Sequence, residues 1–190
     1  MIDGTGLARL DLIVRLESPL RIGGTGVDVR RDTTGRPCLP AAALKGRARV
    51  EACQLCYALD WPTCDRRAAP CQPGDSARCP LCTVFGGRGI AGQVFFADSV
   101  ADAEPVLTAL VRGQRSEAVL ALAAGTHCSG TLRHRLPAAA SREFALLVVA
   151  LLAIDRLGAQ NGIGWGRCQI QITTPVLDLA AVRSALWTIL

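Results

Sequence analysis

The chain has 190 residues, half of them hydrophobic, and a formal net charge of +5. That size and composition fit one domain with a real core, or two very small ones, and exclude a disordered chain. The longest apolar run, residues 144–154, has eleven residues where a bilayer span needs about twenty. The start MIDGTGLARLDL lacks the basic-then-apolar pattern of a signal peptide, so a soluble, cytoplasmic protein with no membrane partner is expected.

Residues 7–17 alternate, with Leu10, Leu12, Val14 and Leu16 on one face and Arg9, Asp11 and Arg15 on the other, which predicts a strand with one buried face. A loop rich in glycine and arginine follows over 21–39. Pro40 suits a helix start, and PAAALKGRARVEACQLCYAL reads as helix to about Leu59. Residues 60–89 carry prolines, glycines and cysteines with no periodicity. QVFFAD, 93–98, reads as a short strand, and 117–123 and 127–135 are weaker strand signals around Gly125. Residues 138–157 form the clearest helix pattern, with Ser141 near its start. GAQNGIGWG then interrupts, and RCQIQITTP reads as a strand closed by Pro175. The tail, 176–190, reads as a short amphipathic helix from about Asp178. Strand, helix, strand, strand, helix, strand is the α+β order of a ferredoxin-like (RRM-like) βαββαβ domain, here modified by an insertion. The sheet lacks the aromatic signature of an RNA-recognition motif, since the chain holds four Phe, one Tyr and three Trp.

Twenty of the 21 basic residues are arginine, and the exception is Lys45. A GC-rich genome accounts for this bias, and so does a phosphate partner, because the guanidinium fork binds phosphate oxygens in pairs. The glycine loop, with Gly162, Gly164, Trp165, Gly166 and Arg167, suits close approach of an anionic backbone to exposed amides. Taken alone, such a glycine cluster is more often a plain turn. Lys45, Arg47 and Arg49 lie early in the first predicted helix, where the dipole favours anions, although an ordinary solvated basic face has the same composition.

Six of the nine cysteines fall within thirty residues: Cys53, Cys56, Cys64, Cys71, Cys79 and Cys82. With an odd count and no export signal, metal binding is expected rather than a disulfide framework. Cys79-Pro-Leu-Cys82 is a zinc knuckle, and Cys64, Cys71, Cys79 and Cys82 are the expected ligands of a structural Zn2+ that orders the 60–89 insertion. Cys53 and Cys56, on a predicted helix, belong to the core or replace Cys64 and Cys71. Cys38, Cys128 and Cys168 read as small core residues.

Taken in order, PLRIGG after the first strand, LPAAALKGRAR opening the first helix, CPLCTVFGG before AGQVFFAD, and the glycine loop before the last strand resemble the RAMP superfamily. More narrowly, they resemble the backbone subunits of type III CRISPR effector complexes, over nearly the whole chain, 1–190. The resemblance implies an antiviral-defence protein that binds CRISPR RNA and complementary target RNA and packs against other RAMP subunits and a large multidomain subunit. It implies RNA contacts at Gly23, Gly24, Arg30, Arg31, Lys45, Arg47 and Arg49 and at the glycine loop. It further implies metal-dependent endoribonuclease activity on target RNA through Asp28, with a divalent ion such as Mg2+. Two features depart from the family pattern. Aligning Asp28 takes a short deletion, and 99–117 is short for the family's protruding hairpin. A non-catalytic end-capping RAMP subunit, a stand-alone RAMP processing endoribonuclease and a zinc-stabilised interaction module remain alternatives. The processing enzyme would need a base such as His127 or His134.

Overall fold

The structure, a computed structural model, describes residues 7–21, 29–64, 70–75, 78–137, 141–158 and 164–187, with Arg112 described for its backbone alone. Among these residues, eight strands and four helices follow one another as β1 (Ala8–Leu16), β2 (Cys38–Leu39), α1 (Ala41–Ala58), α2 (Pro80–Phe85), β3 (Val94–Phe96), β4 (Ser99–Ala101), β5 (Val106–Arg112), β6 (Arg115–Ala121), β7 (His127–His134), α3 (Arg142–Leu152), β8 (Cys168–Thr174) and α4 (Leu179–Trp187).

The alternation in β1 has the expected consequence. Leu10, Leu12, Val14 and Leu16 are buried, and β1 lies in the middle of an antiparallel sheet. It pairs with β7 from Ala8↔His134 to Arg15↔His127 and with β8 from Leu12↔Ile172 to Leu16↔Cys168. The far edge of β7 takes two short strands in turn, β3 at Val94↔His134 and β4 at Ala101↔Cys128, and β4 carries β2 on its outer side. At Gly130, opposite Leu12, an added Cβ would lie 2.1 Å from Ser99 Oγ, so only glycine lets β4 close on the sheet there.

Helix α3 is buried on nearly every side, from Phe144 to Leu151, because α1, α2, α4 and β8 all pack against it. Ser141 caps it by accepting the Phe144 N–H at 3.2 Å. The helix is shorter than the 138–157 expected. It ends at Leu152, since the backbone beyond turns to pair with the last strand: Leu157 N–H donates to Gly166 O, and Arg156 bridges to Arg167; residues 138–140 lie outside the described set. The 60–89 segment is not without secondary structure: α2 begins at Pro80, and its Leu81, Val84 and Phe85 join the main core. The 99–117 segment is also richer than expected. It holds β4, β5 and the start of β6, and β5–β6 make a separate two-stranded sheet in register from Val106↔Ala121 to Arg112↔Arg115. Gly113, at φ 59, closes that hairpin as the first residue of a two-residue turn. In the tail, α4 covers 179–187 of the expected stretch. Among the described residues no helix is long and apolar enough to cross a membrane.

Candidate nucleic-acid interface and metal centre

Cys64, Cys71, Cys79 and Cys82 come together, with all four Sγ atoms within 4.8 Å of one another. Cys64 Sγ lies 3.6 Å from that of Cys79 and 3.2 Å from that of Cys82. Four thiolates at tetrahedral Zn–S bonds of about 2.3 Å are separated by about 3.8 Å, so the donor set fits one zinc ion. The local fold explains the geometry. Cys79 is the N-cap of α2 and Cys82 lies in its first turn, so both face one point, and the Cys79 N–H donates to Cys71 Sγ at 3.2 Å. Burial works against ionising the Cys64 thiol. The Cys71 backbone N–H and the neighbouring thiols of Cys82, Cys79 and Cys71 outweigh it and bring the group down to about 7. Burial raises Cys79 and Cys82. An all-sulfur, closed set of four suits a structural ion with no open position for water. Cys53 and Cys56 are not in this cluster; Cys56 is buried in the core and pushed up to about 12 by that burial. Cys38, Cys128 and Cys168 are buried, as expected of core thiols.

Of the expected RNA-binding and catalytic residues, Gly23, Gly24, Asp28 and Gly162 lie outside the described residues. The rest of the glycine loop sits directly on the segment that leaves β1. Gly166 N–H donates to Pro19 O at 2.9 Å, Arg167 N–H to Ser18 Oγ at 2.8 Å, and Glu17 N–H to Arg167 O at 2.8 Å. Gly158, at φ 81, has Leu20 Cδ1 3.0 Å and Arg21 O 3.1 Å from where a Cβ would be, so here the protein's own chain is what comes close. Gly164, at φ 83, faces open space instead. Trp165 is half-buried and the Arg167 side chain is 61% exposed, 3.7 Å from Glu17.

The other cations divide. Arg31 is held by Glu104 at 2.9 Å and by Gly35 O at 2.7 Å. Arg47 forms an ion pair with Glu51 at 2.6 Å and reaches Asp155 at 3.6 Å. Arg30 is exposed. Along α1, Ala42, Gly46, Arg47 and Val50 share a groove of about 390 Å3 with Arg156 and Gly158. Lys45 and Arg49 line a different cleft, with residues 85–95, and Arg49 donates to Gly86 O. The start of α1, which its dipole makes attractive to an anion, is already occupied: Asp98 Oδ1 accepts the Ala41 N–H at 2.7 Å. That cap comes from 57 residues away and carries no local signal. Arg88 and Arg156 also join these surfaces unannounced, although the glycines around Arg88, at 86, 87 and 89, are a visible cue.

Asp32 is consumed by its turn. Its Oδ1 accepts the Thr34 and Arg36 N–H groups, both at 2.9 Å, and the Thr34 hydroxyl at 2.8 Å. The Thr34 hydrogen bond, with help from Arg36, draws its carboxyl down to about 2. Of the two histidines, His134 is buried against the Phe144 ring, and burial lowers its pKa. His127 is exposed, with Nδ1 3.2 Å from Asp102 Oδ2.

Two solved structures are similar to this chain. One, titled "Type IV-B CRISPR Complex", aligns at TM-score 0.64 and 17% identity over 90% of this chain and 92% of that one. The other, Csc2 from Thermofilum pendens, aligns at TM-score 0.53 and 16% identity over 94% of this chain and 70% of that one. At such identities the likeness is one of fold. No curated protein sequence matches. The sequence profile of the RAMP superfamily matches residues 13–169, well over half of the chain, and the protein belongs to that superfamily.

Proposed function

We propose that this chain is a guide-RNA-binding backbone subunit of a CRISPR effector complex. The observation that carries the reading is the pairing of the end of the glycine loop with the segment that leaves β1. Gly166 and Arg167, at the end of the glycine loop before β8, are hydrogen-bonded to Pro19 and Ser18, so the described parts of the two segments occupy one end of the sheet. Glycine-rich backbone with exposed arginine beside it suits an RNA backbone read without regard to base. The strand order β8-β1-β7 with β3 and β4 beyond, together with α1 and α3, supports one modified ferredoxin-like domain over 1–190. The 60–89 segment is its zinc-bound insertion, held by Cys64, Cys71, Cys79 and Cys82, and 176–190 is its helical tail.

The partners in this reading are CRISPR RNA, complementary target RNA, other RAMP subunits and a large multidomain subunit. The motifs argue for a type III complex. The near-complete mutual coverage with the type IV-B chain favours the same role in a complex of that other type. Binding of guide RNA by Lys45→Ala, Arg167→Ala and the double variant tests the reading. Each loss of a phosphate contact lowers the slope of log affinity against log salt by about 0.7 for a single strand, so the double variant falls by about 1.4, for all sequences alike. Variants that bind guide as the parent does across a salt series would refute this RNA path.

A further inference from the structure

Many of the described cations in this protein have a carboxylate partner. Arg9 pairs with Asp11, Arg31 with Glu104, Arg36 with Asp32, Arg47 with Glu51 and Arg167 with Glu17. One concavity departs from this pattern. Between α1 and residues 85–95 lies a cleft of about 640 Å3 into which Lys45, Arg49 and Arg88 converge, with no acidic residue in its lining. Among the described residues the side chains of Lys45 and Arg88 have neither an ion pair nor a hydrogen bond, and Arg49 is tethered through one N–H to Gly86 O. Like charges gathered without a counter-charge repel, and an anion placed among them removes that cost.

The rest of the lining narrows the anion to a nucleotide. Gly86, Gly87 and Gly92 line it without side chains. An added Cβ would lie 2.6 Å from Ile90 O at Gly86 and 2.5 Å from the Gly86 N at Gly92, so these two glycines let the backbones at 86 and 92 pack against each other beside the cleft. The wall is Phe95, an aromatic ring 44% exposed on β3, with the Arg135 guanidinium 5.7 Å from its centroid. An exposed ring beside unpaired cations is the pairing of groups that single-stranded nucleic acid uses, the ring for a base and the cations for phosphate.

We propose that this cleft is a nucleotide subsite, taking one phosphate of a single-stranded RNA between Lys45 and Arg88 and a base on Phe95. It rests on the RNA-binding reading and extends it to two residues, Arg88 and Phe95, on the side of α1 away from the glycine loop. A strand passing from the Arg156–Gly158 groove to this cleft crosses α1 at Gly46, where nothing fills the space of a Cβ.

The test uses the full chain, a fluorescent twelve-nucleotide uridine RNA followed by anisotropy across a salt series, and ATP and inorganic phosphate as separate probes. Arg88→Ala is expected to weaken RNA binding several-fold and lower the salt slope by about 0.7. Phe95→Leu is expected to weaken it about tenfold with the slope unchanged, and Phe95→Tyr to restore it. A 4-thiouridine RNA should crosslink to the peptide carrying Phe95. If the parent binds RNA and both variants match it, the subsite is wrong and the RNA reading stands. If the parent binds ATP or phosphate but no RNA, the cleft serves a free nucleotide, and both the proposal and the reading under it fall.

Discussion

Removing the metal should release one segment and leave the domain standing. Among the described residues, 62–79 bury only Thr63, Cys71 and Cys79, and the two cysteines belong to the four-thiol cluster. Ordering backbone costs about 1–2 kcal/mol per residue, so an ion held by the four thiols, worth about 10–16 kcal/mol in small zinc sites, would be what orders this stretch. Helix α2 is different. Leu81, Val84 and Phe85 are at most 5% exposed, and burying each contributes about 1.5–3 kcal/mol, roughly 4.5–9 kcal/mol together. The chelated protein, or Cys79→Ser with Cys82→Ser, should therefore keep its far-ultraviolet circular dichroism while amides of 62–79 exchange freely. Trypsin should then cut at Arg66, Arg67 or Arg78. Elemental analysis of the untreated protein should find about one zinc per chain. A folded, metal-free protein with the parent's exchange and cleavage pattern would show that the four thiols hold no ion. Collapse of the whole sheet on chelation would show that α2 is not held by its own apolar contacts.

Gly92→Ala drives a Cβ to 2.5 Å from Phe85 C and Gly86 N, all backbone, and should cost about 1–3 kcal/mol or more, read as a melting temperature lowered by about 2–4 °C per kcal/mol. Gly46→Ala meets nothing within 4 Å and should stabilise the free protein by about 0.5–1 kcal/mol; if RNA crosses α1 there, the same variant binds guide more weakly, and unchanged binding would remove that crossing. Asp32, at about 2 against an ordinary 3.8, adds stability that is complete above about pH 4 and disappears as pH falls toward 2. Thermal melts of Asp32→Asn should lack that part of the acid limb, and an acid limb identical to the parent's would contradict the assignment. In the assembled complex with guide and complementary RNA, Asp28→Ala should keep target binding and stop cutting, whereas Asp32→Ala cuts normally; cutting that persists in Asp28→Ala points to a non-catalytic subunit.

Where sequence reading succeeded, a local signal and a tertiary demand agreed. The alternation of β1 is written in Leu10, Leu12, Val14 and Leu16, and the Ser141 cap stands three residues before Phe144, whose N–H it accepts. The cysteine spacing named the four residues that the fold gathers. Where reading failed, the deciding contact came from elsewhere in the chain. VLTALVR in β5 has no strict alternation and becomes a strand only through pairing with β6, and α2 has six residues, too few for a helical period to register. The charges are the sharpest case. Arg47 and Lys45 look alike in LKGRAR, yet Arg47 is committed to Glu51 and Asp155 while Lys45 faces a cleft. Helix spacing forecasts the first of those partners, Glu51 at i+4, but not Asp155 beyond α3.

The convergence at the sheet end follows from topology more than from any motif. Because β1 and β8 are antiparallel neighbours, the chain leaving β1 and the chain entering β8 must lie at the same end, however many residues separate them. The β1–β7 pairing brings Thr126 and His127 there as well, and the Leu20↔Leu122 bridge with the Arg31–Glu104 pair ties in the base of the β5–β6 hairpin. Three connections and the base of a hairpin thus share one end of the sheet. A ligand held at that end touches connections rather than core, so its binding can change by substitution in 17–37 or 158–167 while Leu10, Leu12 and Val14 stay packed. The cleft at Lys45 and the groove at Arg156 and Gly158 both lie along α1, and Gly46 lines the second of them with no neighbour within 4 Å of where a Cβ would be.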